Sequence, residues 1–421
     1  SSDVEAGTLA SLIARFGATR DTLPSPWMPH EGVRDRCHEP AREFLAVLKH
    51  HGIDRTSKPP KIFFYTEEYE HMAQVGGVDV GACMDTEWYD VERMLAEQLK
   101  TCFGTDRPSQ ADWFLIQHRG TCIAHRRAVL SNATTVSPHF AWVGKNYMLP
   151  LLQHIRSRHP YFDASNGRNH IVISSHDLGL YSFGDEVMKA YGETVRLQLL
   201  GIDRPPWLPG LSTTSDRPYR DIVVPTRHID TAVPQIKCLN TDRACFFGTV
   251  FPNKVYSNGV RQALQAAADT DARLFVRGFI NNYAQQLCGC RFSLCPSGWL
   301  PWSPRLVDSI ILHTLPVIIA DNIRLPFARW LDYTKFTIKL HEATVRDNAT
   351  RALDMLFSMP PIVHAAKLEA LYAVAPLVSY EYDALYMVAL ELWWAQQRDK
   401  EGMWKRLPSH YTGVGQSQYI W

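Results

Sequence analysis

The sequence predicts an α/β fold in which two Rossmann-like halves face a central cleft. Short apolar segments of strand length alternate with segments of helical periodicity, and this alternation appears twice along the chain. Strands and helices that alternate in this way form parallel sheets covered by helices. A polar stretch with irregular signals separates the two runs, so we predict domains of residues 1–235 and 236–421.

The N-terminal run starts with a predicted strand at residues 61–65, directly after a pair of prolines. Val91, Leu95 and Leu99 recur at helical spacing and predict a helix within residues 87–102. Further predicted elements are short helices at residues 9–16 and 41–50, strands at 111–117, 170–174 and 221–225, and a helix at 147–158.

The C-terminal run repeats the pattern and contains the longest motif in the chain. Residues 291–330 read as an apolar strand, a loop rich in Gly, Pro and Trp, a helix and a second apolar strand. Before this block we predict strands at 245–249 and 273–276 and helices at 260–268 and 282–287, and after it mainly helix over 349–398.

The composition is that of a folded globular protein without a strong charge. The chain has 421 residues, of which 46% are hydrophobic and 21% charged, and its formal net charge is +1. It offers no electrostatic field that would attract nucleic acid or an anionic membrane, so we expect no nucleic-acid partner. Patterns for a dinucleotide oxidoreductase, a P-loop NTPase and an H-E-x-x-H zinc protease are missing from the sequence.

The cysteines and sequons bear on the cellular route. Nine cysteines form no C-x-x-C pair, so we predict no structural zinc and at least one free thiol if the others pair. Sequons at Asn132 and Asn348 are compatible with a secreted or luminal glycoprotein. The most apolar run, residues 306–320, is interrupted by polar residues and proline, and we expect a leader or membrane anchor to have preceded Ser1.

The loop and helix inside residues 291–330 have the features of a phosphate-binding unit. Ser303 suits an N-cap and Pro304 the first helical position, so free backbone N–H groups would face the space above the strand. Arg305 can bind an anion bidentately, and Asp308 can accept hydrogen bonds from sugar hydroxyls. The spacing indicates a nucleotide, although a structural loop with a solvated ion pair would have the same spacing.

The same block carries a resemblance to a known family. It resembles the C-terminal signature of the exostosin-like inverting glycosyltransferases, and most closely that of the plant xylan xylosyltransferase branch. Weaker similarity extends over residues 60–345 and includes His176-Asp177 and a Tyr-x-x-Gly-x-Arg segment that ends at Arg261. The residues that match the signature are Cys295-Pro296, Gly298-Trp299, Pro301-Trp302-Ser303-Pro304-Arg305-Leu306-Val307-Asp308, Pro316-Val317-Ile318-Ile319-Ala320-Asp321 and Leu325-Pro326-Phe327.

The resemblance implies a GT-B glycosyltransferase with the donor in the C-terminal domain and the acceptor mainly in the N-terminal domain. The implied donor is a UDP-sugar, with xylose as the nearest match and arabinose, galactose or glucuronate as alternatives, and the implied acceptor is a glycan or glycoprotein. No cofactor and no metal are expected, because arginines and a helix end would bind the diphosphate. The family implies a type II membrane protein of the Golgi lumen, and a homodimer or heterodimer is compatible with the sequence.

Two positions depart from the family pattern. Asp308 stands where the family usually has Glu, which keeps the charge but shortens the reach toward a ribose. His313-Thr314 stands where the xylosyltransferase branch commonly has Gly and Cys, and we expect its bulk to reshape the pocket near the sugar.

Several residues are candidates for the donor site. We predict that Arg261 and Arg305 bind the diphosphate, that Ser303 begins the helix, and that Gly298 lets the backbone approach a phosphate. Arg277 is a further candidate that could equally be solvated. Trp299 and Trp302 could stack on a sugar or pack the loop, and Asp269-Thr-Asp271 is interpreted as a turn and not as a metal motif.

The acceptor base is predicted at His176-Asp177, just past a strand end where loops of an open α/β sheet face the crevice. Either side chain could accept the proton. Our first choice is Asp177, held by His176, while a capping Asp beside a space-filling His is the structural alternative. Two other functions stay open: a catalytically inactive partner subunit, and a sugar-binding module without a nucleotide.

Overall fold

The computed structural model describes residues 58–84, 89–202, 217, 220–227, 238 and 241–401. These residues form two five-stranded parallel sheets with helices packed on them, and one two-stranded hairpin. The predicted α/β architecture is therefore confirmed, with one Rossmann-like sheet in each half of the chain as in the GT-B arrangement. The predicted helices at 9–16 and 41–50 lie outside the described residues.

The N-terminal sheet has the strand order β1-β4-β5-β6-β7. Its central strand β5 is buried along its whole length, as its run of apolar residues predicted. The strands are β1 (Ile62–Phe64), β2 (Gln74–Val75), β3 (Val78–Asp79), β4 (Trp113–Leu115), β5 (His170–Ser174), β6 (Val195–Gln198) and β7 (Ile222–Val223). The helices are α1 (Thr66–His71), α2 (Val91–Phe103), α3 (Gly120–Leu130), α4 (Ser137–Val143), α5 (Leu149–Arg158), α6 (Tyr161–Ser165) and α7 (Asp185–Tyr191).

The C-terminal sheet has the strand order β12-β11-β10-β8-β9. Strand β9 lies on one side of β8, whereas β10, β11 and β12 follow one another on its other side. The direction in which successive strands are added to the sheet therefore reverses between β8 and β10. The strands are β8 (Thr241–Phe247), β9 (Leu274–Arg277), β10 (Cys290–Pro296), β11 (Leu315–Ile319) and β12 (Ile338–Lys339). The helices are α8 (Val260–Ala268), α9 (Tyr283–Cys288), α10 (Arg305–Ile311), α11 (Glu342–Asp347), α12 (Ala349–Phe357), α13 (Pro361–Val374) and α14 (Ala384–Glu401).

The two faces of the C-terminal sheet carry different helices. Alternate residues of β8 point to opposite faces, so Phe246 packs with α8 and α12 while Phe247 packs with α9. Helix α10 lies on the α9 face, against Cys295 and Ile318. The helices that follow β8 and β10 therefore leave the sheet on opposite faces, and a crevice between the two strand ends results.

The two halves are joined by the segment that includes the Leu-Pro-Phe part of the signature. Ile323 forms an antiparallel bridge with Ile202, and the backbone N–H of Phe327 donates to Val223 O over 3.3 Å. The last helix of the described residues, α14, returns to the N-terminal half, where Tyr386 packs edge-on against Phe103 with the ring centroids 6.2 Å apart. One apolar core thus connects both halves. The boundary near residue 235 stays a prediction.

Disulfides stabilise both halves. Cys83–Cys122 links the hairpin region to α3, Cys238–Cys288 links a residue ahead of β8 to the end of α9, and Cys245–Cys290 links β8 to the first residue of β10. Cys295 is a free, buried thiol, as the odd cysteine count predicted, and burial raises its pKa to about 11.

One described segment meets the length and composition criteria for a membrane-spanning helix. It covers residues 361–378, has a mean hydropathy of 1.2 and is 22% buried. These criteria alone are weak evidence, because core helices also meet them. Within the fold the segment packs on the C-terminal half, where Lys367 Nζ in α13 donates to the carbonyl oxygens of Thr334 and Thr337.

Candidate active site

The candidate donor site lies at the carboxyl ends of β8 and β10, where the chain direction reverses. Ligands of open α/β sheets bind outside such a reversal point, because the loops there diverge and leave a crevice. Ser297 N donates to Ile319 O over 3.0 Å, and Ser257 N donates to Gly298 O over 2.9 Å. The first bond ties the end of β10 to the end of β11, and the second holds the loops that follow β8 and β10 next to each other.

Arg261 reaches this crevice from the first turn of α8. Its Nε donates to Ser297 O over 2.9 Å and its Nη1 donates to Thr249 O over 3.0 Å, so it connects both strand-end loops. Nη1 also donates to the hydroxyl of Tyr256, whose ring lies 4.8 Å from the guanidinium carbon. The Tyr-x-x-Gly-x-Arg segment is thus a structural unit in which the tyrosine holds the arginine.

Arg305 reaches the same crevice from the opposite face of the sheet. Its Nη2 donates to Phe247 O at the end of β8, and its Nη1 donates to Ser303 Oγ over 3.0 Å. Both Arg305 and Arg261 lie over the ring of Phe246, at 4.7 and 5.1 Å. The residues predicted to bind the diphosphate are therefore brought together around one phenylalanine.

These two cations are buried without a compensating carboxylate. Each arginine is 7% exposed, and within the described part of the chain neither guanidinium forms an ion pair with Asp or Glu. Burial and the nearby charge of Arg305 lower the pKa of Arg261 to about 10. Buried charges are normally paired, so the two arginines favour binding of an anionic ligand between them.

Both arginines keep hydrogen-bond donors for a ligand. A guanidinium has five N–H donors, and Arg305 uses two of them, leaving its Nε without a partner. Arg261 uses four of its five donors, because its Nη2 also donates to Pro296 O over 3.4 Å. The remaining N–H of Nη2 lies next to Gly298, where an added Cβ would be 3.4 Å from this nitrogen. The missing side chain leaves room at this nitrogen, and the role of Gly298 beside a phosphate stays a prediction.

The helix start differs by one residue from the prediction. Pro304 has helical dihedral angles (φ −58°, ψ −27°) and is itself the N-cap, and Arg305 is the first helical residue. Ser303 caps no backbone N–H; its hydroxyl accepts a hydrogen bond from Arg305 instead. The N-cap prediction for Ser303 was therefore wrong, because the serine hydroxyl is engaged by the arginine side chain.

Asp308 and Arg277 are placed differently from the two main arginines. Asp308 is 1% exposed, and its Oδ2 accepts a hydrogen bond from the hydroxyl of Tyr283 over 3.0 Å. Burial, followed by the charge of Asp308, raises the pKa of Tyr283. Arg277 is exposed at the end of β9, and its Cα is the register partner of Phe247. The ribose role of Asp308 and the donor role of Arg277 stay predictions.

Glu342 is a residue of the site that sequence reasoning missed. It lies at the start of α11, where it accepts hydrogen bonds from Ser297 Oγ (2.6 Å), Asn258 Nδ2 (3.0 Å) and the backbone N–H of Asp321 (3.2 Å). These donors belong to the loops after β8, β10 and β11. Burial raises its pKa, and the three hydrogen bonds hold the carboxylate in place as a brace for the crevice. No local pattern in the sequence indicates it.

The predicted base region lies past the end of β5 in the N-terminal half. Asp177 Oδ1 accepts a hydrogen bond from the hydroxyl of Tyr89 over 2.9 Å, whereas His176 Nδ1 contacts Ser182 Oγ and packs on Phe140 at 4.0 Å. The expectation that His176 holds Asp177 was therefore wrong, since the two side chains have separate partners. Burial and His125 lower the pKa of His176 to about 3, so it is neutral near pH 7.

The donor loop contacts the base region directly. Trp302, from the signature loop, lies near enough to Asp177 to lower the pKa of that carboxyl, and it packs in one apolar cluster with Leu178 and Leu200. Burial raises the pKa of Asp177 above its ordinary value, while Tyr89, His125 and Trp302 act in the opposite direction. Trp302 therefore packs between the halves, and the candidate base lies beside the candidate donor site.

The departure at His313-Thr314 does not touch this crevice. His313 lies just past the carboxyl end of α10, where its ring is tilted by 46° against Tyr372 with the ring centroids 4.1 Å apart, and it lines a surface pocket at the amino-terminal edge of the sheet. Its φ of +55° lies in the left-handed region, which glycine adopts without steric cost at the end of a helix. This explains why sequences with the xylosyltransferase signature commonly have glycine at this position. The expected effect on the pocket near the sugar was wrong, because the pattern concerns the helix end.

Potential metal ligands do not cluster in the part of the chain that the structure describes. They include no group of three or more His, Cys, Asp or Glu placed to hold a metal ion. The Asp-x-Asp pattern forms a turn, as predicted, and Asp271 pairs with Arg273 at 2.7 Å.

Comparison with known proteins gives a family match over most of the chain. The profile described as the exostosin GT47 domain matches residues 30–355. A probable glucuronosyltransferase of Oryza sativa subsp. japonica is 26% identical over 323 residues, which are 70% of this chain and 70% of that protein. A probable glucuronoxylan glucuronosyltransferase of Arabidopsis thaliana is 26% identical over 71% of this chain and 63% of its own length.

A relative named for a different sugar matches at the same level. A probable beta-1,4-xylosyltransferase of Arabidopsis thaliana is 26% identical over 62% of this chain and 61% of its own length. Among solved structures, the GtfA/B complex aligns with a TM-score of 0.34 and 11% identity over 59% of this chain and 61% of that chain. The description of the fold rests on the two parallel sheets of this chain itself.

Proposed function

Because this chain belongs to the exostosin GT47 family of glycosyltransferases, we propose that it moves a sugar from a UDP-sugar to a hydroxyl group of a glycan, with inversion. Family membership confirms the expectation of a glycosyltransferase. The UDP donor, the stereochemistry and the assignment of residues to roles are proposals.

The observation that carries the proposal is the pair of buried, uncompensated cations Arg261 and Arg305 at the reversal point of the C-terminal sheet. A nucleoside diphosphate supplies two adjacent negative groups, which match two guanidinium groups around one ring. The carboxylate of Asp308, one helical turn from Arg305, suits the ribose hydroxyls. A diphosphate would pair directly with the two buried arginines, neither of which forms an ion pair within the described part of the chain.

The proposed reaction uses one base and one anion site. Asp177 accepts the proton of the acceptor hydroxyl, the hydroxyl oxygen forms a bond to the anomeric carbon, and the bond to the UDP oxygen breaks with its electron pair. Arg261 and Arg305 stabilise the charge that develops on the leaving diphosphate. Tyr89 orients the carboxylate of Asp177, and His176 acts as a neutral packing residue beside it.

Xylose is the proposed sugar, and arabinose, galactose and glucuronate remain alternatives. Relatives at the same identity are named for glucuronosyl and for xylosyl transfer, so the names favour neither donor. The alternative of an inactive partner subunit now rests on Asp308 alone, since His313-Thr314 lies away from the crevice.

We further propose a lumenal setting for the domain, in the Golgi behind an N-terminal anchor of type II orientation. Disulfides form and persist in oxidising compartments. Among the described residues, one disulfide lies within the N-terminal half and two lie within the C-terminal half. Asn132 and Asn348, the sequon asparagines, are both exposed, so glycan addition is sterically open there.

The test has two stages. Calorimetric titration with UDP is expected to show binding by the folded protein, and no binding would contradict the donor site. A panel of UDP-sugars is then incubated with the protein, and release of free UDP is measured. Release with at least one donor supports transfer, whereas UDP binding without release from any donor favours the inactive subunit.

A further inference from the structure

A cluster of three aromatic side chains stands at the rim of the donor crevice. We call Phe251, Tyr256 and Trp299 the aromatic platform. Tyr256 is buried at its centre, with Phe251 edge-on to it at 4.8 Å and Trp299 edge-on at 5.0 Å. The two outer rings are 43% and 45% exposed, lie 6.4 Å apart and are inclined by 30° to each other.

The platform is fixed by the loops on which it stands. Gln262 Nε2 donates to Phe251 O over 2.6 Å and to Asn253 O over 3.0 Å, which holds the β8 loop against α8. Ser257 N donates to Gly298 O over 2.9 Å, which ties the position before Trp299 to the same loop. The backbone beneath both outer rings is thus held in place, and the rings expose apolar surface to water, which is unfavourable unless a ligand covers it.

The direction of the donor indicates what that ligand is. Asp308 and Tyr283 lie on the α9 face of the sheet, whereas the platform lies beside Arg261 on the α8 face. A diphosphate that spans Arg261 and Arg305 would therefore have its nucleoside near Asp308 and its transferred sugar near the platform.

The platform and the candidate base are linked by the signature loop. Trp299 is three residues before Trp302, which contacts Asp177. An acceptor hydroxyl at Asp177 would belong to a chain that extends past Trp302 toward the exposed rings.

We propose that Phe251 and Trp299 form an open binding surface for a polymeric glycan acceptor, on which neighbouring pyranose rings stack. The apolar faces of pyranose rings suit exposed aromatic rings, and an open platform accepts a chain that continues on both sides. This inference rests on the proposed function, because it uses the direction of the bound donor.

The test measures oligosaccharide binding in the presence of saturating UDP. Xylohexaose, xylobiose and cellohexaose are titrated into the wild-type protein and into Trp299→Leu and Phe251→Leu variants. We expect a hexaose to bind wild-type protein more tightly than the biose. Each variant should weaken hexaose binding about three- to tenfold, the usual range for loss of one ring contact. UDP affinity should stay unchanged.

Two controls separate stacking from general effects. Trp299→Tyr keeps a flat ring and should retain most of the hexaose affinity, which Trp299→Leu loses. Ile362→Ala removes another exposed apolar side chain, 77% accessible and on α13, and should change neither affinity.

Three results would overturn the inference while leaving the proposed function intact. They are UDP binding without binding of any oligosaccharide, equal hexaose affinity in wild-type protein and the Leu variants, and loss of UDP affinity in Trp299→Leu. Failure of the wild-type protein to bind UDP would instead contradict the proposed function, and the inference would fail with it.

Discussion

Replacing Arg305 by methionine tests the charge argument most sharply. The substitution keeps an unbranched apolar side chain over Phe246 but removes the guanidinium, which donates to Phe247 O and Ser303 Oγ. It also removes the nearby positive charge that, with burial, lowers the pKa of Arg261 to about 10. We therefore expect UDP binding and fold stability to respond in different ways.

The magnitude follows from the donors that Arg305 leaves for a ligand. A hydrogen bond to a charged group contributes about 1.5–3 kcal/mol, so one or two lost phosphate contacts amount to about 3 kcal/mol. That is a loss of UDP affinity of about 160-fold. For the free protein, relief of the repulsion between two buried cations offsets the unpaired carbonyl of Phe247. The free energy of unfolding should thus change by less than about 1 kcal/mol.

The assay is calorimetric titration with UDP and with uridine, combined with denaturant unfolding of each variant. Uridine lacks the phosphates, so its affinity should be the same in wild-type protein and Arg305→Met. Arg273→Met is the matched control, because Arg273 pairs with Asp271 and Asp354 at the far end of β9. Equal UDP affinity in wild-type protein and Arg305→Met, or an equal loss in the control, would refute the reasoning.

Three further predictions use other contacts. Gly248→Ala should weaken UDP binding without changing any charge, because the added Cβ would lie 2.7 Å from Arg305 Nη2. The control Gly278→Ala adds a Cβ in open space and should leave UDP affinity unchanged. Equal UDP affinity of the two variants in calorimetric titration would contradict this prediction. The acid limb of the pH profile of kcat should lie above the ordinary carboxyl pKa, because burial raises the pKa of Asp177. Tyr89→Phe removes a hydrogen-bond donor that lowers this pKa, so it should move the acid limb to higher pH. An unmoved limb would show that Tyr89 does not act on the base. Removing either disulfide of the C-terminal half should lower the free energy of unfolding by about 2–4 kcal/mol in denaturant titrations, a cost that replacing the free cysteine by alanine should not reach.

The sequence predicts the elements that rest on local pattern. Helix α8 and strand β5 have the predicted bounds, because apolar periodicity and an uninterrupted apolar run determine them. Arg261 and Arg305 were also predicted together, since the signature and the Tyr-x-x-Gly-x-Arg segment mark both positions. Their convergence on Phe246 follows from the reversal of strand order, which one sequence does not display.

The residues that sequence reasoning missed act across long separations. Tyr89 bonds to a residue 88 positions away, and Glu342 bonds to Ser297 across 45 positions. Neither bond leaves a local pattern. His313 was misinterpreted for a related reason: its departure from glycine concerns a positive φ at a helix end, a property of the backbone and not of the pocket.

A crystal structure of the protein with UDP is the most direct test of the central claim. The account predicts that phosphate oxygens lie within about 3 Å of both the Arg261 and the Arg305 guanidinium groups, with the ribose on the side of Asp308. A UDP molecule bound elsewhere, or one whose phosphates contact neither arginine, would contradict it.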